Sequence, residues 1–146
     1  MSPENSLKET QSFECPIVIQ EEDIDGMGHV NNVVYLRWVQ EVATAHWNTA
    51  TEDAEKAAYA WVVQRHEIDY MRPALLGDTL VGRTRVGEVG GARFERFVEI
   101  WRISDNRLIA KARTLWVALD PRTGRPCRIQ DTLRSRFHLP EPLINS

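Results

Sequence analysis

Between Val33 and Asn48 the polar residues Arg37, Gln40, Glu41, Thr44 and Asn48 recur at spacings of three and four, so that on a helix they fall in one narrow stripe. Everything else in that stretch is apolar or aromatic, including Val33, Val34, Leu36, Trp38, Val39, Val42, Ala43 and Trp47. A surface helix needs only one apolar face, whereas this one would expose hydrocarbon around most of its circumference unless other elements covered it. The rest of the chain therefore has to supply walls for a central helix.

The flanking sequence reads as those walls. Phe13 to Gln20 alternates with Phe13, Cys15, Ile17 and Ile19 apolar, which is the period of a strand. Pro16 inside it has no N–H to give, which argues for a sheet edge or an irregular start to the pairing. After an alanine-rich connector, Thr51 to Ala60, with room for a short helix, four strands are predicted: Trp61–Met71, Thr79–Val89, Ala92–Ser104 and Leu108–Leu119. Gly90-Gly91 and Asp105-Asn106 supply tight turns between the later ones, and Asp120-Pro121-Arg122-Thr123-Gly124 ends the last. A short closing helix is expected from about Asp131 to Phe137, with Asp131 as its N-cap. The order predicts an α+β fold, an antiparallel five-stranded sheet wrapped around one long helix, in a single domain over residues 13–146 behind a disordered lead at 1–12.

Bulk properties narrow the function. A chain of 146 residues buries roughly 70% of its unfolded surface and needs no staples. Its formal charge of −3, from 18 basic and 21 acidic residues, offers no overall attraction to a nucleic-acid backbone. Arg83, Arg85, Arg93, Arg96 and Arg102 cluster on the later strands, where they read as a solvated sheet face that could meet a small polyanion such as a nucleotide phosphate. Cys15 and Cys127 show neither disulfide nor metal-ligand spacing, the opening MSPENSLKET lacks the apolar run of a signal peptide, and no stretch reaches the ~20 apolar residues of a membrane helix. A cytoplasmic protein with no membrane partner and no metal is expected.

The chemistry concentrates just ahead of the long helix, in Glu21 to Asn32, EEDIDGMGHVNN. The first turn of a helix carries unpaired N–H groups and about half a unit of positive charge, which suits an oxyanion. A carboxylate a few residues upstream can lie across from those donors, and acyl transfer to water needs that pairing of a base or nucleophile with an oxyanion hole. The same residue types also serve as plain helix caps, with His29 as a loop residue, and residue chemistry alone leaves both readings open.

The pattern D-x-D-x-x-G-H-V-N-N-x-x-Y-x-x-W from Asp23 to Trp38, followed by D-Y-x-R-P-A-x-x-G-D from Asp69 to Asp78, resembles the hot-dog fold thioesterases of the hydroxybenzoyl-CoA type. The resemblance spans about Phe13 to Phe137. It implies an acyl-CoA thioesterase with Asp25 as the catalytic carboxylate, Asp23 as a structural acid, the backbone N–H of Asn32 in the oxyanion hole and His29 in support. It also implies an acyl pocket along the helix, with Tyr35 and Trp38 as wall residues. The site would lie between subunits of a homodimer or homotetramer, with acyl-CoA as substrate and no cofactor.

Three other functions compete with this one. A carrier-protein thioesterase shares the G-H-V-N-N-V turn, but Met71-Arg72-Pro73 stands where that branch carries an additional acid. An enoyl-thioester hydratase or dehydratase would place four residues between aspartate and histidine, whereas Asp25 and His29 are separated by three and Asp23 and His29 by five. A non-catalytic acyl-CoA-binding module would have no use for a carboxylate facing the oxyanion site.

Overall fold

A computed structural model describes residues 12–137 and 139. Of the lead expected at 1–12, all but Ser12 lies outside the described residues. Strand β1 (Phe13–Ile17) leads through a 3-10 turn at Glu21–Asp23 to helix α1 (Asn32–Ala50) and the short α2 (Asp53–Ala58). Strands β2 (Ala60–Tyr70), β3 (Leu80–Gly90), β4 (Arg93–Arg102) and β5 (Arg107–Leu119) follow, then α3 (Asp131–Arg136). The strands form one sheet in the order β1-β3-β4-β5-β2, antiparallel throughout, with α1 packed against β1, β3 and β4. Pro16 sits on edge strand β1, opposite Val81.

The ends of α1 follow from its sequence. Asn31 is the N-cap, its Oδ1 accepting the Val33 N–H at 3.3 Å, and the Thr51 hydroxyl donates to the Trp47 carbonyl at 2.6 Å to close the last turn. The stripe Arg37, Gln40, Glu41, Thr44 and Asn48 is exposed, while Val34, Tyr35, Trp38, Val39, Val42, Ala43 and His46 are buried. Gly82 lets the helix approach β3: a Cβ there would lie 2.5 Å from Val42 Cγ2.

Two apolar clusters fill the space between helix and sheet. One gathers Val34, Tyr35, Trp38 and Val39 with Leu80, Ile100 and their neighbours; the other gathers Tyr59, Val86, Phe94, Leu133 and Phe137 near the end of α1. Among the buried polar residues are Thr84, Arg96 and Thr114 on the strands and His46 on α1.

Two expectations are corrected here. The N-cap of α3 is Gln130, and Asp131 is the first helical residue, where its charge faces the open amides of the helix. Arg96 is not on the solvated face. It alternates with Phe94, Val98 and Ile100 along β4, so the two-residue period turns it inward, where it is 3% exposed. Of the other arginines, Arg83 pairs with Glu14, Arg85 lies 4.1 Å from the Phe97 ring centroid, and Arg102 lies between Asp78 at 3.3 Å and Asp105 at 2.9 Å.

Candidate active site

The loop before α1 is a miniature hairpin. Ile24 bridges Val30, the Asp25 N–H donates to the His29 carbonyl at 2.7 Å, and the Gly28 N–H returns to the Asp25 carbonyl at 3.2 Å. Gly28 takes φ 79°, a left-handed conformation that glycine adopts without strain. This turn aims the Asp25 carboxylate: its Oδ1 accepts the amides of Met27 at 2.8 Å and His29 at 3.1 Å. Among the described residues Oδ2 has no hydrogen-bond partner, and the side chain is exposed.

Asp23 is different in kind. It is 1% exposed, accepts the Gln20 N–H at 2.9 Å and pairs with Arg37 at 3.0 Å, while its carbonyl takes the Asn31 N–H at 2.8 Å. One acid of the D-x-D pair is thus tied into the fold and the other is presented to solvent.

The amides that open α1 are almost all committed. Val30 N–H donates to the Ala74 carbonyl, Asn31 N–H to the Asp23 carbonyl, Val33 N–H to Asn31 Oδ1 and Val34 N–H to the Asn31 carbonyl. Among the described residues the Asn32 N–H has no partner, and Asn32 is exposed. The cap therefore leaves one free donor, at the positive end of a 19-residue helix.

The segment from Asp69 to Asp78 closes against this loop. The Ala74 N–H donates to the Tyr35 hydroxyl at 3.0 Å, the Tyr70 hydroxyl to the Asn32 carbonyl at 3.3 Å, and His29 bridges Leu75. Tyr35 and Trp38 stand behind the loop in the core, 2% and 1% exposed, with their rings edge-to-face at 5.2 Å; Tyr35 meets Tyr70 the same way at 5.3 Å. The His29 ring makes no hydrogen bond among the described residues; its backbone is what holds Asp25. Met27, Val33, Tyr70, Met71, Leu75 and Leu76 leave exposed apolar surface along these two segments.

Sequence reasoning missed His46 and His66. Arg96 Nη1 lies 2.9 Å from His46 Nδ1, and a guanidinium can only donate, so the imidazole is neutral and carries its proton on Nε2. Burial, with the Arg96 charge adding to it, pulls the His46 pKa down to about 3. His66, inward on β2, meets the Thr114 hydroxyl at 2.9 Å, and burial lowers its pKa too. Their positions, one on the apolar side of α1 and one opposite an inward threonine, were the available signal. Among the described residues no three His, Cys, Asp or Glu side chains converge as a metal-binding group, and no helix is long and apolar enough to cross a membrane.

Comparison with known proteins agrees with this fold. The Thioesterase-like superfamily profile matches residues 19–137. The acyl-CoA thioesterase YbgC of Haemophilus influenzae is 31% identical over 133 residues, covering 86% of this chain and 94% of that protein. A Thermus thermophilus thioesterase solved with coenzyme A and Zn superposes with a TM-score of 0.74 at 27% identity, over 85% of this chain and 90% of that one. A 4-hydroxybenzoyl-CoA thioesterase variant solved with 4-hydroxybenzoyl-CoA shares the fold, with a TM-score of 0.79 at 14% identity over 87% of this chain and 99% of that one. With the sheet order, the central helix and a profile match over most of the domain in agreement, the chain belongs to the thioesterase-like superfamily of hot-dog proteins.

Proposed function

We propose that this protein hydrolyses acyl-CoA thioesters, with Asp25 and the Asn32 amide as the reacting pair. The observations that carry the reading, among the described residues, are an uncommitted amide at the start of α1 and, seven residues upstream in the same loop, a carboxylate oriented by two backbone donors with no partner at Oδ2. A thioester carbonyl oxygen received by the Asn32 N–H gains a donor aimed at the charge that develops on attack, a contribution of about 3 kcal/mol for one such bond. Asp25 then acts on the carbonyl carbon, either by taking a proton from an attacking water or by attacking first, to form an anhydride that water opens; in both routes the C–S bond breaks and the thiolate of coenzyme A leaves. Asp23 keeps the loop in place. His29 supports Asp25 through its backbone, with its ring in reach of the solvent side. Tyr35 and Trp38 back the wall of the acyl pocket, Tyr35 through its contact with Tyr70.

Substrate choice rests on the relatives named acyl-CoA thioesterases, beside which stands an Arabidopsis thaliana relative named an acyl-acyl carrier protein thioesterase. An exposed carboxylate is a weak catalyst in bulk water, and the apolar surface around it calls for a cover. A second copy of the chain fits that need, because among the described residues β2 pairs only with β5 and leaves its other edge open. We therefore propose a homodimer or a higher homo-oligomer with the site between subunits. The free thiols of Cys15 and Cys127 accord with a cytoplasmic location.

The test is thiol release from a panel of short, long and aromatic acyl-CoAs. Asp25→Asn should cost about 10²–10⁴-fold in kcat with the melting curve unchanged. Undiminished turnover in that variant would remove the assignment. Label found in Asp25 after a single turnover in H₂¹⁸O marks the anhydride route, with water attacking the Asp25 carbonyl and the acyl carboxylate leaving.

A further inference from the structure

Arg96 is a buried guanidinium surrounded by neutral groups. It donates from Nη1 to His46 and to Thr84 Oγ1 at 3.0 Å, and it lies 5.5 and 5.8 Å from the ring centroids of Phe94 and Phe137. Among the described residues no carboxylate pairs with it, and Nε and Nη2 make no hydrogen bond. Burial lowers its pKa only to about 9, which leaves it charged at neutral pH. Taking a charge out of water without a counter-charge is costly, and folds retain such a group where something else supplies the anion.

The arginine borders a cavity of about 90 Å³ walled by Trp47 of α1, Trp61 of β2, Phe94 of β4 and Trp116 of β5, with exposed Thr44 at its rim. The walls are flat and apolar, and Arg96 can only donate. A ligand that satisfies both is an apolar or aromatic body ending in a carboxylate, which a guanidinium binds through two parallel N–H bonds.

The position of this box links it to the proposed reaction. Along α1, Thr44 is twelve residues from Asn32, about 18 Å away in the same chain. The free edge of β2 changes that distance. The irregularity of Ala60–Tyr70 between Val63 and Arg65 puts Trp61, against Trp47, and Tyr70, against Tyr35, on the same helix-facing side. Antiparallel pairing of this strand with its own copy about its centre, on a strand about 4.8 Å away, brings the Trp61 end of one to the Tyr70 end of the other. Trp61 of the partner subunit then stands beside Tyr70, whose hydroxyl touches the Asn32 carbonyl. The box of one subunit thus opens toward the oxyanion donor of the other.

We propose that the box receives the far end of the acyl group and that Arg96 selects acyl groups ending in a carboxylate over alkyl groups of equal length. The selection rests on the thioesterase reading above; the box itself does not. Two measurements keep them apart. Benzoate, titrated against the tryptophan fluorescence of the intact protein, should bind saturably, with affinity about tenfold or more above that of neutral benzamide. Arg96→Met should remove that advantage. Thr44→Trp, a change at an exposed position that fills the rim, should block both ligands even if Arg96→Met does not fold. Adipoyl-CoA should then exceed hexanoyl-CoA in kcat/KM by a similar factor, with the order lost in Arg96→Met. Benzoate that fails to bind, or binds Arg96→Met equally, overturns the box. Benzoate binding without a preference for adipoyl-CoA overturns the selection, and binding without hydrolysis of any thioester overturns the thioesterase reading while the box stands.

Discussion

Lowering the pH should destabilise this protein through His46, and the size of the effect can be worked from its surroundings. The ring is 1% exposed, stacks on Phe13 at 4.9 Å and accepts a hydrogen bond from Arg96, so protonation inside the fold would set two cations against each other in a buried site. Burial and then Arg96 hold its pKa at about 3, against 6.5 for the free side chain. Between those values the unfolded chain binds a proton that the folded chain refuses. The stabilisation is therefore complete above pH 6.5 and drains away as the pH falls toward 3, at about 1.4 kcal/mol per pH unit. From pH 6.5 to 4.5 the loss is about 2.3 kcal/mol, or a fall in Tm of about 5–9 °C. Carboxylates and His66 also titrate in this range, so the comparison is with His46→Gln, whose amide oxygen can still accept from Arg96 but has no proton to gain. Urea unfolding at half-unit steps from pH 7 to 4 should give His46→Gln a slope in unfolding free energy against pH shallower by about 1.4 kcal/mol per unit. Parallel slopes would refute the reasoning, because they would mean that His46 is protonated in the folded state as readily as out of it.

Two further outcomes are expected. Gly82→Val puts a Cβ 2.5 Å from Val42 Cγ2 and 3.2 Å from Ile17 Cδ1, and should lower stability in urea unfolding by about 1–3 kcal/mol as α1 is pushed off β3; an unchanged midpoint would show that the helix has slack there. Met27 and Val33 are 79% and 65% exposed, so the double change Met27→Lys with Val33→Lys should leave the far-UV circular dichroism spectrum unchanged while holding the chain monomeric in light scattering, removing the concentration dependence of its melting and abolishing thiol release. A stable, active oligomer in that variant would move the subunit contact elsewhere.

The architecture was readable from the sequence because it rests on local periods. The polar stripe of α1 and the alternation of the strands each report which side of an element meets apolar neighbours, and these set the central helix, the five antiparallel strands and the turns at Gly91 and Asn106, whose φ values are 60° and 53°. The same kind of signal was present for Arg96, since Phe94, Val98 and Ile100 flank it at steps of two, yet charge is ordinarily a mark of the outer face and overrode the period. The acids and asparagines ahead of α1 were visible as a cluster; whether they were caps or reactants depended on which donors and acceptors remained unpaired. That is a property of three-dimensional arrangement: Asp23 is consumed by Arg37 and Gln20, Asn31 caps the helix, and among the described residues Asp25 Oδ2 and the Asn32 N–H are left without a partner. Likewise the meeting of residues 69–78 with the loop at 23–38, and the free edge of β2, come from pairings between segments far apart in the chain. Local sequence fixes the direction each side chain faces, while the identity of what it faces is decided by the long-range register of the sheet.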